Sequence, residues 1–408
     1  MRGGKEAGRI DSMSVTQEPV SPPDAGKGLK PPGISVLILT LNEEANLPLC
    51  LESVAWSDDI VVFDSFSSDR TVEIAHAFGA RVVQRAFDNE LNQRQAALRL
   101  EFKHPWVYNP DADEITPSDL RDEMLAAAGD PANPIAAYRV RFKTMFMGRW
   151  IRRSSLYPTW VVRLFRPERV SFAREINLTY HIDGATGQLQ SHFLHYTFRK
   201  GLTDWFAKHN RYSTGEAVEL LKAPAVCWRD ILSASPVRRR ASLKNLAYRM
   251  PGRPLLTFLY LYLARAGFLD GRSGLRYCIL RCIYEFLIDA KAVELRRQQR
   301  QGSSPRKSFP EDHPFTMGIG EWFARHNESS SLEAMRRSGK SPVPPGSSMA
   351  RSAVSGWPLL TFLWLYFGRL QVLRGRAGFI HSALCAVNEY MINLKVLELR
   401  LQQKGQSI

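Results

Sequence analysis

From Ile34 onward the chain alternates two kinds of stretch. Short runs of consecutive apolar, β-prone residues are followed by segments whose apolar positions recur every three to four residues. "ISVLILTL" (34–41), "DDIVVFDSF" (58–66), "ARVVQRAF" (80–87) and "PWVYNP" (105–110) are of the first kind and predict four strands. "NEEANLPLCLESV" (42–54), "SDRTVEIAHAFG" (68–79) and "LNQRQAALRLEF" (91–102) are of the second kind and predict the helices between them. Strands buried on both faces and joined by helices predict right-handed βαβ units and a mostly parallel sheet. Pro110 lacks a ladder donor and marks the end of the fourth strand.

Beyond about residue 199 the pattern becomes helical and repeats itself. "PLLTFLYLYLARAGFLDGRSGLRYCILRCIYEFLIDAKAVELRRQQ" (254–299) recurs as "PLLTFLWLYFGRLQVLRGRAGFIHSALCAVNEYMINLKVLELRLQQ" (358–403), with 22 of 46 positions identical. Upstream, "WFAKHNRYSTGEA" (205–217) recurs as "WFARHNESSSLEA" (322–334), and the following spacer is 13 residues shorter in the second copy. Two copies make a tandem duplication rather than a solenoid. The expected organisation is a disordered leader (1–32), an α/β domain (33–198), a basic helical module (199–300), a polar linker (301–312) and the duplicated helical module (313–408).

Charge sharpens this division. Residues 33–198 carry 17 Lys and Arg against 21 Asp and Glu, whereas 199–307 carry 22 against 8, so one segment supplies nearly all of the net +15. Such a segment seeks an anionic partner. Its basic residues are interleaved with apolar helices and no nucleic-acid-binding signature is present, so an anionic membrane surface is expected and nucleic acid is not. The alternative use of those apolar helices is packing on the α/β domain or on a second subunit, as a homo-oligomer. No run reaches the ~18 apolar residues that span a bilayer. The five cysteines are scattered without a CxxC pair, and Cys278 and Cys282 read as core thiols.

The chemistry lies at the ends of the predicted strands, where open α/β sheets bind ligands. Asn42-Glu43-Glu44 follows strand one, Asp64 and Asp69 follow strand two, and Asp111, Asp113 and Glu114 follow strand four. No GxGxxG or Walker lysine loop is present to cradle phosphate. Carboxylates two apart on an extended chain point the same way, so Asp111 and Asp113 could share a Mg²⁺ or Mn²⁺ that neutralises a diphosphate.

"SVLILTLNEEANLPLCLESV", "VVFDSFSSDRTVEIA", "NQRQAAL", "DADE", "VVRLFRPE" and "HYTFRKGLTDWFAKHNRYSTGEA" together resemble family 2 glycosyltransferases of the GT-A fold, nearest the bacterial lipopolysaccharide-core glucosyltransferase subgroup. The resemblance implies that Leu41, Asn42 and Glu43 line the nucleotide pocket, that Asp64 holds the uracil or ribose side, and that Ser67 and Asp69 shape its loop. Asp113, helped by Asp111, would bind the metal on the UDP diphosphate, with Gln93 and Arg94 near the donor. Ser65 stands where many members carry a second Asp. The subgroup offers His-Glu six residues before an Asp-Gly as its base, and here that count reaches Asn177-Leu178. Glu175 is the carboxylate taken as general base, and His181, His192 and His195 are read as structural. Arg163 and Arg166 are left between contacting the diphosphate and pairing on the surface. The implied enzyme is a metal-dependent, inverting hexosyltransferase, peripheral on the inner face of the cytoplasmic membrane. It would use a UDP-hexose, glucose first, and a glycolipid or lipopolysaccharide-core saccharide acceptor. The alternatives are a polyprenyl-phosphate glycosyltransferase, whose acceptor needs no base, and a non-catalytic sugar-nucleotide-binding scaffold.

Overall fold

The computed structural model describes residues 33–406 and 408, apart from 174–178, 223–227, 302–313, 340–356 and scattered positions between 234 and 251. The leader, almost all of the linker, and Glu175 and Leu178 therefore lie outside the described residues.

The first half follows the predicted alternation: β1 (Ser35–Thr40), α1 (Leu47–Val54), β2 (Ile60–Asp64), α2 (Thr71–Ala77), β3 (Arg81–Gln84), α3 (Glu90–Ala97) and β4 (Val107–Tyr108). These four strands are parallel, in the order β3-β2-β1-β4. Next come β5 (Glu114–Ile115), α4 (Ser118–Gly129), β6 (Ile135–Phe146), β7 (Arg149–Trp150), β8 (Trp160–Phe165), a β9–β10 hairpin (Val170–Ala173, Thr179–Ile182) and β11 (Ala185–His195). They extend the sheet as β4-β8-β6-β11-β5, with antiparallel pairing at β4/β8, β8/β6 and β11/β5. The result is the mixed, mostly parallel sheet with flanking helices of the GT-A fold.

The sheet is apolar on both faces because both are covered. Val36 and Ile38 of β1 pack with Leu47, Leu51 and Val54 of α1 and with Leu120 and Met124 of α4. Leu37 faces the other way, with Val61, Phe63, Ala97 of α3 and Phe172 of β9. Strand order reverses between β1's two neighbours, and Asp111 bridges to Leu39 at the carboxyl end of β1. That is the crevice where such sheets bind ligands.

The main helices of the helical half are α5 (Gly201–Lys222), α6 (Arg253–Leu259), α7 (Gly271–Gln301), α8 (Ile319–Arg337), α9 (Pro358–Leu363) and α10 (Gly375–Gln403). A π turn and a short 3-10 turn join α6 to α7, and the same pair joins α9 to α10. Buried Lys291 of α7 donates to the Asn210 carbonyl and to Asn210 Oδ1, Ser213 Oγ and Thr214 Oγ1 of α5. Lys395 of α10 does the same to the Asn327 carbonyl, Asn327 Oδ1, Ser330 Oγ and Ser331 Oγ of α8. Contacts between the halves are reciprocal. Glu294 accepts from Ile319 N (3.1 Å) at the start of α8, and Glu398 accepts from Leu202 N (3.0 Å) at the start of α5. Asn210 Nδ2 donates to the Gly320 carbonyl (2.8 Å), and Asn327 Nδ2 to that of Thr203 (2.9 Å). When residue i of one half meets j of the other and j meets i, the arrangement is that of a two-fold interface. Phe206, Leu287, Phe323 and Leu394 from the two halves share one core, which Phe146 and Ile151 of the α/β domain also enter.

Candidate active site

Asp111, Asp113 and Glu114 follow β4 in a tight turn, with Glu114 N donating to the Asp111 carbonyl at 2.9 Å. The segment is not extended, so the pointing rule used for Asp111 and Asp113 does not apply to it. Ala112, between them, packs into the core. The three acids have different partners.

Glu114 is buried, and the Arg163 guanidinium of β8 clamps it through Nε (2.9 Å) and Nη2 (2.5 Å). Nη2 also reaches Asp111 Oδ2 at 2.5 Å. Arg163 itself is buried, so it neither pairs on the surface nor has a face open to solvent. A cation for this part of the cluster is thus built into the protein. Burial pushes the Glu114 carboxyl up to about 7 against the pull of Arg163. Burial also acts to raise Asp111, but Arg163 and Arg94 more than reverse it and hold that carboxyl below the usual range. Arg94 lies 3.4 Å from Asp111 Oδ1 and 3.3 Å from Asn109 Oδ1.

Asp113 has the partner the sequence reading took as structural. His195 Nε2 lies 3.3 Å from Asp113 Oδ2. The register explains this: β11 ends beside β5 with His195 opposite Glu114, and Tyr196 N donates to the Asp113 carbonyl at 2.8 Å. Burial would raise the Asp113 carboxyl, yet His195 holds it below its ordinary value. Burial would lower the imidazole, and Asp113 raises it instead. Lys200 and Lys208, which the sequence reading also passed over, add positive charge. Lys200 Nζ is 3.0 Å from Glu43 Oε1, and the Lys208 ammonium acts on Asp113, Asp111 and Glu43. A strand-ending His followed by lysines five and thirteen positions on was the available signal. His181 and His192 do not join the cluster: one lies on β10 and the other within β11.

The loops after β1 and β2 are stitched together. Asn42, in the left-handed region (φ 56°), donates its N–H to Ser67 Oγ (2.8 Å) and accepts from Ser68 N (2.8 Å). Glu43 N donates to Thr71 Oγ1 (2.7 Å), and Asp69 accepts from Glu44 N (3.1 Å) and Thr71 N (3.0 Å). Asp64, fully buried, accepts from Thr40 Oγ1, from Ser67 N and Oγ, and from Gln84 Nε2. Four donors fill the four lone-pair sites of a carboxylate, so Asp64 fixes the loop from below. Gln93 is buried, donating to Ser65 Oγ (3.0 Å) and accepting from Arg85 (2.6 Å). Leu41 and Phe66 remain exposed at this edge, and Phe66 is held at φ 59°, a costly conformation for an aromatic residue.

The β9–β10 hairpin lies against this cluster. Gln95 of α3 donates to the Phe172 carbonyl (3.4 Å), and Tyr180 is near enough to Arg94 and Arg163 to help raise their pKa values. Glu175 falls between its two strands in sequence, outside the described residues. Arg166 stacks over the Trp106 ring at 4.5 Å, away from the acids.

Among the described residues, no three or more His, Cys, Asp or Glu side chains converge as metal ligands. Asp113 offers the carboxylate oxygen that Mn²⁺ or Mg²⁺ takes, with the remaining positions left to phosphate and water, and His195 holds that carboxylate ionised.

The family described as Glycosyl transferase family 2 matches residues 35–197. An uncharacterized glycosyltransferase of Rickettsia bellii is 32% identical over 203 residues, 46% of this chain and 68% of its own length. The lipopolysaccharide core biosynthesis glycosyltransferase LpsC of Rhizobium meliloti is 27% identical over 271 residues, 64% of this chain and 92% of its own. Among solved structures, glucosyl-3-phosphoglycerate synthase from Mycobacterium tuberculosis in complex with Mn²⁺, UDP and glucosyl-3-phosphoglycerate is 25% identical. The match covers 30% of this chain and 47% of that one, with a TM-score of 0.24, so this chain spans less than half of the synthase's length.

Proposed function

The chain belongs to glycosyltransferase family 2, and we propose that it moves a hexose, glucose first, from UDP to a lipid-linked or lipopolysaccharide-core saccharide with inversion, at the inner face of the cytoplasmic membrane. One observation carries this reading: a carboxylate and an imidazole at the switch point of the sheet, Asp113 and His195, 3.3 Å apart, with the Lys208 ammonium acting on Asp113 and on Asp111 beside it. A carboxylate kept ionised beside a lysine at the sheet's switch point is what a cation-bridged nucleotide diphosphate calls for. The similarity to LpsC supports a saccharide of the lipopolysaccharide core as acceptor.

Asp113 would hold a divalent cation, with Asp111 kept ionised beside it by Arg163 and His195 orienting the Asp113 carboxylate. Bound there, the cation would neutralise the diphosphate and assist its departure. The chain's own groups do the rest. Lys200 and Lys208 attract the phosphates, and Leu41 and the exposed Phe66 ring offer an apolar surface to the base. Asn42, Glu43, Ser67 and Asp69 set the loop that meets the nucleoside, over the Asp64 foundation, and Gln93 keeps Ser65 in place. Glu175, on the segment joining β9 to β10, would take the proton from the acceptor hydroxyl.

A panel of UDP- and GDP-sugars with Mn²⁺, scored for slow hydrolysis without acceptor, tests the donor. Turnover of UDP-glucose above the other sugars is expected. Preference for a GDP-sugar would overturn the donor assignment, and no hydrolysis or binding of any sugar nucleotide would leave a scaffold.

A further inference from the structure

The two helical halves expose the same apolar positions. Leu255 and Leu359 are 61% and 69% exposed, Leu263 and Phe367 56% and 57%, and Leu269 and Leu373 64% and 79%. Each pair occupies equivalent places, 104 residues apart, on the α6 and α9 hairpins and their turns. Single exposed leucines are ordinary on a protein surface, but a contiguous set displayed twice marks an interaction face. The helices α6 and α9 that carry them adjoin one another. An open, mostly apolar cleft of about 920 Å³ runs between them, lined by Leu255 and Phe258 of the first half and Phe362 and Phe379 of the second.

Charge identifies the occupant. Residues 357–380 contain three arginines and no acid, and Arg369 and Arg376 are exposed among the apolar side chains. The equivalent stretch of the first half has one acid, Asp270, whose carboxylate is taken up by the Arg153 and Ser154 N–H groups and the Ser154 hydroxyl. Arg272 stands exposed beside it. Apolar tips with exposed arginines among them match the boundary between acyl chains and anionic headgroups. A second copy of this chain would bring like charges together. Among the described residues no helix is long and apolar enough to cross a membrane, so insertion would stop at the interface.

We propose that the α6 and α9 hairpins form one paired wedge that docks on an anionic phospholipid bilayer, with both halves in contact. This deepens the membrane part of the reading above. It also revises the expectation from charge alone, which gave the contact to the strongly basic first half. Here the weakly basic second half contributes an equal, acid-free tip, and the shared cleft lined by Leu255, Phe258 and Phe362 sets α6 beside α9.

Flotation of the full chain with vesicles of equal phosphatidylcholine and phosphatidylglycerol tests the wedge. Two double variants, Leu255→Glu with Leu269→Glu and Leu359→Glu with Leu373→Glu, are each expected to bind at least roughly tenfold more weakly, because each removes one half of the buried apolar contact. Circular dichroism and UDP-sugar hydrolysis should not change, since these side chains touch neither the core nor the acid cluster. Wild-type protein that fails to float, or either double variant floating like wild type, overturns the pairing. Equal binding to pure phosphatidylcholine overturns the charge match. Variants that turn an oligomer into a monomer while flotation persists would assign the face to a second copy of the chain. Hydrolysis is read separately, so the wedge and the sugar-transfer reading fail independently.

Discussion

Replacing Arg163 by Met removes a buried cation from between two carboxylates while keeping most of the side-chain volume. Glu114 is the acid that suffers, because it is buried and takes two of the guanidinium's hydrogen bonds, whereas Asp111 keeps Arg94 and about a third of its side-chain exposure. Breaking a buried pair from one side costs about 3–5 kcal/mol. The pH dependence separates this cause from simple loss of packing. In the wild type burial raises Glu114 to about 7, even with Arg163 pulling the other way. Without Arg163 the carboxyl rises further. A carboxyl whose folded pKa exceeds its unfolded value favours the folded state at low pH and loses that advantage as pH climbs to the folded pKa. Wild type and variant should therefore run parallel below about pH 7, and above it the variant alone should go on losing about 1.4 kcal/mol per pH unit. Urea unfolding followed by circular dichroism at pH 6 and pH 8.5 measures this. A gap wider by about 2 kcal/mol at pH 8.5 is expected from the roughly 1.5 units between pH 7 and pH 8.5. A gap that is constant across that range, or smaller than about 1 kcal/mol throughout, would refute the idea that Arg163 is the cluster's internal counter-charge.

Glu175→Gln should lower transfer by about 10²–10⁴-fold with donor binding unchanged, since a base acts in the transition state; unchanged turnover would point to a phosphate acceptor. Lys291→Met and Lys395→Met should each destabilise the helical half by about 1–3 kcal/mol, because each takes the ammonium donor from an Asn side-chain oxygen in an equivalent socket. Thermal melts in which only one of the two matters would show that the sockets are not equivalent in energy.

The α/β half was legible in outline because each buried strand is a continuous apolar run and each helix a periodic one. Its length was less so: the fourth strand is only Val107–Tyr108, held by β1 and β8 rather than by its own pattern. At the site, the density of acids in the sequence singles out the turn after β4. It did not show that Arg163, 49 residues beyond Glu114, would supply a cation, or that the end of β11 would bring His195 to Asp113. Both depend on antiparallel pairings whose register no local pattern encodes. Gln93 and Asp64 were read as facing a ligand, and they are buried in the hydrogen-bond network that supports the loops. In the helical half the repeat was visible as letters. The exchange of Glu294 and Glu398 between the halves required the packed structure, since it pairs residues 25 and 196 positions apart.

The central claim is that Asp113 is a ligand through which a divalent cation meets a nucleotide diphosphate. Calorimetry of UDP binding to wild type and Asp113→Asn, with and without Mn²⁺, tests it most directly. An amide lacks the charge the cation needs but keeps the side chain's size, so folding should survive and the Mn²⁺-dependent part of UDP binding should vanish. Wild type and Asp113→Asn binding UDP equally well, with Mn²⁺ and without it, would contradict the account.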